Sequence, residues 1–228
     1  MANNREKAAN IYNSRKDIDD RYSLTKPGNK YNYKNLYNGI EDLLLSAFSD
    51  LSEVKFLEVG CGELFWPEVF MEIGCRSENC FGTDILHQRM VKGREKGRHT
   101  AAVTSSVLEL PFKSDSFDLI CQLTLMTSIS EDADRDMAVE EMLRVLKPGG
   151  YILWYDFRYN NPKNPYTRAI GKNELHELFA PLPVQLKTIT VFPPLARKMP
   201  AAGVPLLKFI NLFSMLRTHY LALIGPKG

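Results

Sequence analysis

Acidic residues are missing from the last quarter of this chain. From Leu178 to Gly228 there is no Asp or Glu, whereas Lys187, Arg197, Lys198, Lys208, Arg217 and Lys227 are all present. The 228 residues together carry 29 basic and 27 acidic side chains, a formal +2. Residues 1–177 are therefore mildly acidic and only the end is basic. A near-neutral total excludes a general electrostatic argument for nucleic acid, but a one-signed end points to where an anionic or phosphate-bearing ligand would be met. Cysteine is also scarce. Cys61, Cys75, Cys80 and Cys121 contain no C-x-x-C spacing, which excludes a disulfide framework and fits reduced thiols in the cytoplasm. The most apolar stretch, Val204 to Ile224, is broken by Lys208, Arg217 and His219, a poor membrane span. The first twenty residues are polar and charged, unlike a signal peptide. There is no H-E-x-x-H, acidic calcium loop or G-x-S-x-G, so neither a metal site nor a nucleophile elbow is expected. What is abundant is apolar content, 44%, too high for a disordered chain and enough for one large core.

Short apolar runs alternate with helical patterns. Strands are expected at Val54–Val59, Cys80–Asp84, Ala101–Thr104, Phe117–Leu123, Tyr151–Phe157, Val184–Phe192 and His219–Ile224. Helices are expected at Leu36–Phe48, Glu63–Ile73, Leu86–Lys96, Asp132–Leu146, Asn173–Phe179 and 204–216. Pro27-Gly28-Asn29 reads as a turn, and Lys147-Pro148-Gly149-Gly150 as a helix stop. The alternation implies right-handed βαβ units. The expectation is a single α/β domain with a Rossmann-like, mainly parallel sheet and helices on both faces. Its parts are an N-terminal arm or cap (1–35), a cofactor-binding core (36–192), an acceptor lid (193–216), and a last strand with tail (217–228).

Ligands of open α/β sheets sit outside the carboxyl ends of the strands. Glu58-Val59-Gly60-Cys61-Gly62 lies at such an end, where Gly60 and Gly62 let the backbone turn and approach a ligand. Asp84, 22 residues after Gly62, ends the next strand, where a carboxylate can take both hydroxyls of a ribose. A nicotinamide dehydrogenase would share this layout, but Phe65 replaces the third glycine of G-x-G-x-x-G. Glu58 also suits a cationic ligand better than a pyrophosphate.

The segments FLEVGCGELFW, FGTDI, LELPFKSDSFDLI and EEMLRVLKPGGYILWYDF, in that order and spacing, resemble the class I S-adenosylmethionine-dependent methyltransferases over about residues 36–192. The resemblance implies a seven-stranded sheet with an antiparallel last strand and S-adenosylmethionine as cofactor. Glu58 and Gly60 would hold its methionine end, Gly62 would also bind the cofactor, Asp84 would hold the ribose, and Ser106 and Val107 the adenine. Gln122 would begin the wall beneath the sulfonium. Leu64 departs from the family's third glycine, and Ser106 stands where many members carry Asp. The segments DFRYNNPKNP, PPLAR and RTHY resemble a narrower bacterial group often linked to surface-glycan or natural-product pathways.

On that resemblance, Asp156 and the start of the antiparallel last strand share the active face. His219 or Asp156 is then the candidate base, with Arg158, Asn161, Arg197 and Arg217 orienting the acceptor and Tyr22 covering the cofactor. A structural ion pair between Asp156 and Arg158, or a merely packed His219, is the plainer alternative. His87, His99 and His176 read as surface residues. The wide apolar face of 204–216 fits packing on its own sheet or on a second copy of the chain; an acceptor pocket or a membrane surface would use it too. The leading expectation is methylation of a small-molecule or glycan hydroxyl with no nucleic-acid partner. A protein or nucleic-acid methylase and an inactive cofactor-binding subunit stand as alternatives.

Overall fold

A computed structural model describes residues 6, 9, 12, 23–161, 164 and 166–228; Tyr22 lies outside them. Helix α1 spans Pro27–Ala47, followed by β1 (Phe56–Val59), α2 (Phe65–Ile73), β2 (Cys80–Asp84), α3 (His87–Glu95) and β3 (Ala101–Thr104). Then come β4 (Phe117–Leu123), α4 (Asp132–Val145), β5 (Leu146–Phe157), α5 (Lys172–Leu178) and β6 (Val184–Val191). Two short helices, α6 (Pro193–Ala196) and α7 (Val204–Ile210), lead to β7 (Arg217–Ile224).

The seven strands form one sheet in the order β3-β2-β1-β4-β5-β7-β6. Strands β1 to β5 pair in parallel, and β7 runs antiparallel to both of its neighbours. The order reverses at β1, so the crevice at the carboxyl ends of β1 and β4 is the switch point where such sheets take ligands. One face of the sheet packs Leu36, Ile40, Leu43 and Leu44 of α1 and Phe70 of α2. The other packs Ala138, Val139 and Met142 of α4 and Leu175 of α5. All four cysteines are free and buried.

Three boundaries differ from those expected. Pro27-Gly28-Asn29 is the first turn of α1 rather than a loop, so the helix begins well before residue 36. Pro27 fits there because the first helical N–H needs no intrahelical partner. Gly28 fits because a Cβ would stand 1.8 Å from the Ala196 carbonyl oxygen; it is a packing glycine. The helix stop Lys147–Gly150 lies inside the long β5. There Gly149 takes φ +78° and donates to the Lys227 carbonyl (2.7 Å), while the Lys227 N–H returns to Gly150 O (2.9 Å). Finally, the helix expected over 204–216 ends at Ile210. The Arg217 Nε–H claims the Asn211 carbonyl (2.9 Å), and Phe213 is extended before a single turn at Ser214–Leu216.

Candidate functional site

The loop after β1 is built from residues in an unusual backbone region. Gly60, Gly62 and Leu64 have φ of +75°, +52° and +60°, and the Gly60 and Cys61 N–H groups both donate to Thr83 O. Leu64 therefore keeps the left-handed conformation of the glycine it replaces, at a cost of roughly 1–2 kcal/mol. Its fully buried side chain, packed with Cys61 and Met90, offsets that cost.

Besides Arg89 Nε, two polar atoms near this edge are buried without a partner among the described residues. They are Glu58 Oε2 at the end of β1 and Gln122 Nε2 at the end of β4. Burial pushes the Glu58 carboxyl well above the usual carboxylate range. Such a group favours a cationic partner, which restores its charge. Gln122 Oε1 accepts from the Leu125 and Met126 N–H groups (3.1 and 3.3 Å), which aims the amide. Asp84 closes β2 and is itself tied down. It accepts from Gly62 N (2.9 Å), Leu86 N (2.8 Å) and Arg89 Nη1 (3.0 Å). Ser106 follows β3 in a tight turn, its Oγ accepting from Leu108 N at 3.2 Å, with Val107 half-buried beside it.

An unpartnered acceptor, an unpartnered amide donor and a glycine-shaped approach suit a zwitterionic amino-acid end. Asp84 adds a carboxylate beside the loop. These residues fit S-adenosylmethionine: Glu58, Gly60, Gly62 and Gln122 would hold the methionine part and Asp84 the ribose. The cofactor supplies a methyl carbon on positively charged sulfur.

The acceptor-side candidates are less concentrated. Phe157 and His219 are register partners, as are Asp156 and Tyr220. Side chains alternate along strands, so His219 and Asp156 project from opposite faces of the sheet. His219 lies on the α1 face, stacked on Tyr155 (4.6 Å) and against Phe157 (4.1 Å). Burial lowers its pKa to about 3, so the ring is neutral. Thr218 Oγ1 donates to Thr190 O (3.3 Å) and also contacts His219 Nδ1 at 2.9 Å. A hydroxyl has one proton; with that proton on Thr190 O, Nδ1–H donates to Thr218 and Nε2 keeps its lone pair. Asp156, on the α4 face, accepts from Thr127 N (3.0 Å), Thr127 Oγ1 (2.6 Å) and Phe157 N (2.9 Å). Burial nonetheless raises its pKa to about 6.

The arginines are spread over the end of β5, the 193–216 segment and the start of β7 rather than gathered at either group. Arg158 sits over the Tyr159 and Tyr220 rings (4.7 and 4.9 Å) and donates to Ser214 O (3.1 Å). The ion pair of the alternative reading, between Arg158 and Asp156, is not formed. Arg217 spends its guanidinium on the Asn211 and Thr188 carbonyls. Arg197 caps α6 with a buried Nε that has no partner among the described residues, and Asn161 is exposed. His87, His99 and His176 are exposed as expected.

Two residues at the site were not anticipated. Arg89 holds Asp84 and stands so close to Gly62 that a Cβ there would lie 2.2 Å from Nη2. Leu125 leans on Gly60 in the same way, at 3.1 Å. A basic residue five positions after Asp84 was the available signal for the first; nothing local marked the second.

Residues 57–154 match the family model described as a methyltransferase domain. With the switch-point crevice and its donor set, that match makes the chain similar in its fold and its 57–154 core to the S-adenosylmethionine-dependent methyltransferases. Among curated proteins, the chain is similar to a demethylmenaquinone methyltransferase of Staphylococcus haemolyticus. Identity is 33% over 122 residues, covering 52% of this chain and 48% of that protein. It is also similar to a tRNA (carboxymethyluridine) O-methyltransferase of Arabidopsis thaliana, 28% over 131 residues, covering 53% of this chain and 32% of that protein. A solved S-adenosylmethionine-dependent methyltransferase from Archaeoglobus fulgidus shares the fold at TM-score 0.56 and 14% identity, covering 85% of this chain and 97% of that one. The chain spans about half the length of the first of these relatives and a third of the second.

Proposed function

We propose that this protein transfers the methyl group of S-adenosylmethionine to a hydroxyl of a small-molecule or glycan-like acceptor seated between the glycine loop and the 193–216 segment. The observation that carries the hydroxyl is His219: a neutral imidazole whose Nε2 retains a lone pair. The acceptor oxygen attacks the methyl carbon, an oxygen–carbon bond forms as the carbon–sulfur bond breaks, and the hydroxyl proton passes to Nε2. A ring with a pKa near 3 is a weak base toward a resting alcohol. The oxygen becomes strongly acidic as it acquires the methyl group, however, and only then must its proton leave. Most of the rate comes from alignment and exclusion of water. The basic, acid-free end and the unpartnered Arg197 Nε support an anionic or phosphate-bearing acceptor.

A second reading, transfer to a quinone-type ring, is favoured by the demethylmenaquinone methyltransferase relative. The experiment is mass spectrometry of candidate acceptors incubated with the methyl donor, with the methylated atom then located. Methylation at oxygen is expected. For the base, the His219→Gln variant should bind cofactor normally and lose about 10²-fold or more in turnover. Unchanged turnover with intact binding would remove His219 from the mechanism, and cofactor binding without transfer to any acceptor would favour a regulatory subunit.

A further inference from the structure

The 192–216 segment has two sides. Its inner side is a small core of its own: Ala196 and Leu207 are fully buried with Val191, and Tyr31, Met199 and Ile210 pack against them. The segment's other large apolar side chains, Phe192, Leu195, Leu206, Phe209, Leu212, Phe213, Met215 and Leu216, lie outside that core, each between 38% and 72% exposed, and make up its outer side. These are eight of the fourteen large apolar side chains exposed among the described residues, in about a tenth of the chain. The concentration separates a patch from ordinary scattered exposure. Lys198 and Lys208 are exposed within the same segment, form no ion pair among the described residues, and have no acidic residue between 178 and 228 to answer them.

We propose that this outer side docks on an anionic lipid bilayer, so that the segment closing over the acceptor site is seated at a membrane surface. Charge decides between the occupants. Isologous pairing with a second copy would bring Lys198 and Lys208 of both copies into one interface with no acidic residue from 178–228 on either side, and like charges within an interface oppose association. A bilayer with anionic headgroups supplies the missing sign and, beneath it, a liquid hydrocarbon layer. Leu212, Phe213, Met215 and Leu216 are exposed within five consecutive positions, so they project in several directions. A fluid accepts such a set without the matched shape that a protein groove requires. The edge-on Phe209–Phe213 pair (5.4 Å) adds aromatic bulk of the kind favoured where headgroups meet acyl chains. No helix among the described residues is long and apolar enough to cross a membrane, so the contact lies in the interface.

The test reads binding rather than turnover, and so stands or falls separately from the methyl-transfer proposal. The full chain is co-sedimented with vesicles of phosphatidylcholine alone and of phosphatidylcholine with about one third phosphatidylglycerol, at low and high salt. Binding at least about tenfold stronger to the anionic vesicles, and weakened by salt, is expected. Leu212→Ser with Met215→Ser removes exposed apolar area, and Lys198→Glu with Lys208→Glu reverses the charge. Each double variant should lower vesicle binding about tenfold or more at unchanged Tm. Failure to bind anionic vesicles would overturn the proposal. So would a concentration-dependent dimer in sedimentation velocity that the Leu212→Ser/Met215→Ser variant abolishes, because the patch would then be a self-interface.

Discussion

Asp156 and His219 are buried titratable groups shifted in opposite senses, and their effects on stability oppose each other. His219 falls from 6.5 to about 3 on folding. Between those values the unfolded chain binds the extra proton, so this group destabilises the fold as pH drops. Asp156 rises from 3.8 to about 6. Between those values the folded chain binds the extra proton, so this group stabilises the fold as pH drops. From about pH 6 to pH 4 the two slopes largely cancel. Asp156→Asn should therefore make the protein lose about 1.4 kcal/mol per pH unit on acidification, relative to wild type. His219→Gln should show the reverse slope. Chemical denaturation of the three proteins across pH 4–6.5 measures both.

Glu58 tests the cofactor pocket at the same scale. Its unpartnered Oε2 is worth more to a cationic ligand than to the fold. Glu58→Gln should keep or slightly raise the Tm while weakening S-adenosylmethionine binding by about 10-fold to 100-fold, read by calorimetry. An affinity unchanged by the substitution would place the ligand's ammonium elsewhere.

Among the elements, α1 links the sheet to the segment proposed to close over the site. Asn32 pairs with both polar groups of Val191, Nδ2 to O at 2.8 Å and N to Oδ1 at 3.1 Å, and so finishes the edge of β6 as another strand would. Four residues earlier, Gly28 lets α1 meet the α6 backbone. Gly28→Ala should therefore cost roughly 1–3 kcal/mol, because backbone rather than a flexible side chain must move. Limited proteolysis should then cut within 193–216 before the sheet unfolds. Arg135 does comparable work elsewhere. Buried at 1% exposure, it joins Ile129 O (2.8 Å), Arg168 O (2.6 Å) and the Glu174 carboxylate across the connections of α4 and α5.

At the scale of the whole molecule, the proposed cofactor donors come from β1, β2 and β4, which are separated in sequence and brought together by the sheet. A ligand that bridges them binds the folded chain alone and stabilises it by mass action. At one hundred times its dissociation constant, S-adenosylmethionine should add about 2.7 kcal/mol, or roughly 5–10 °C in Tm for a chain of this size. Differential scanning fluorimetry should show that rise in wild type and much less of it in the Glu58→Gln variant at the same concentration.

The strands, the helices and the glycine loop were legible in sequence because each depends on local periodicity or on backbone freedom at particular residues. Glu58, Gly60, Gly62, Asp84 and Gln122 fall at strand ends, and a strand end can be read along the chain. The split of charge at Leu178 was equally plain. Tertiary structure alone decided what depends on partners distant in sequence. Only the register of β5 against β7 reveals that His219 and Asp156 face opposite sides, because alternation along one strand does not say how two strands align. Only the approach of Ala196 explains Gly28. Only burial turns Glu58 from a surface carboxylate into an unpartnered one, and only packing on Val191 and Ala196 sorts the apolar end into an inner core and an outer patch. In each case the deciding energy is desolvation or steric contact between groups tens to more than a hundred residues apart, and no local pattern carries it.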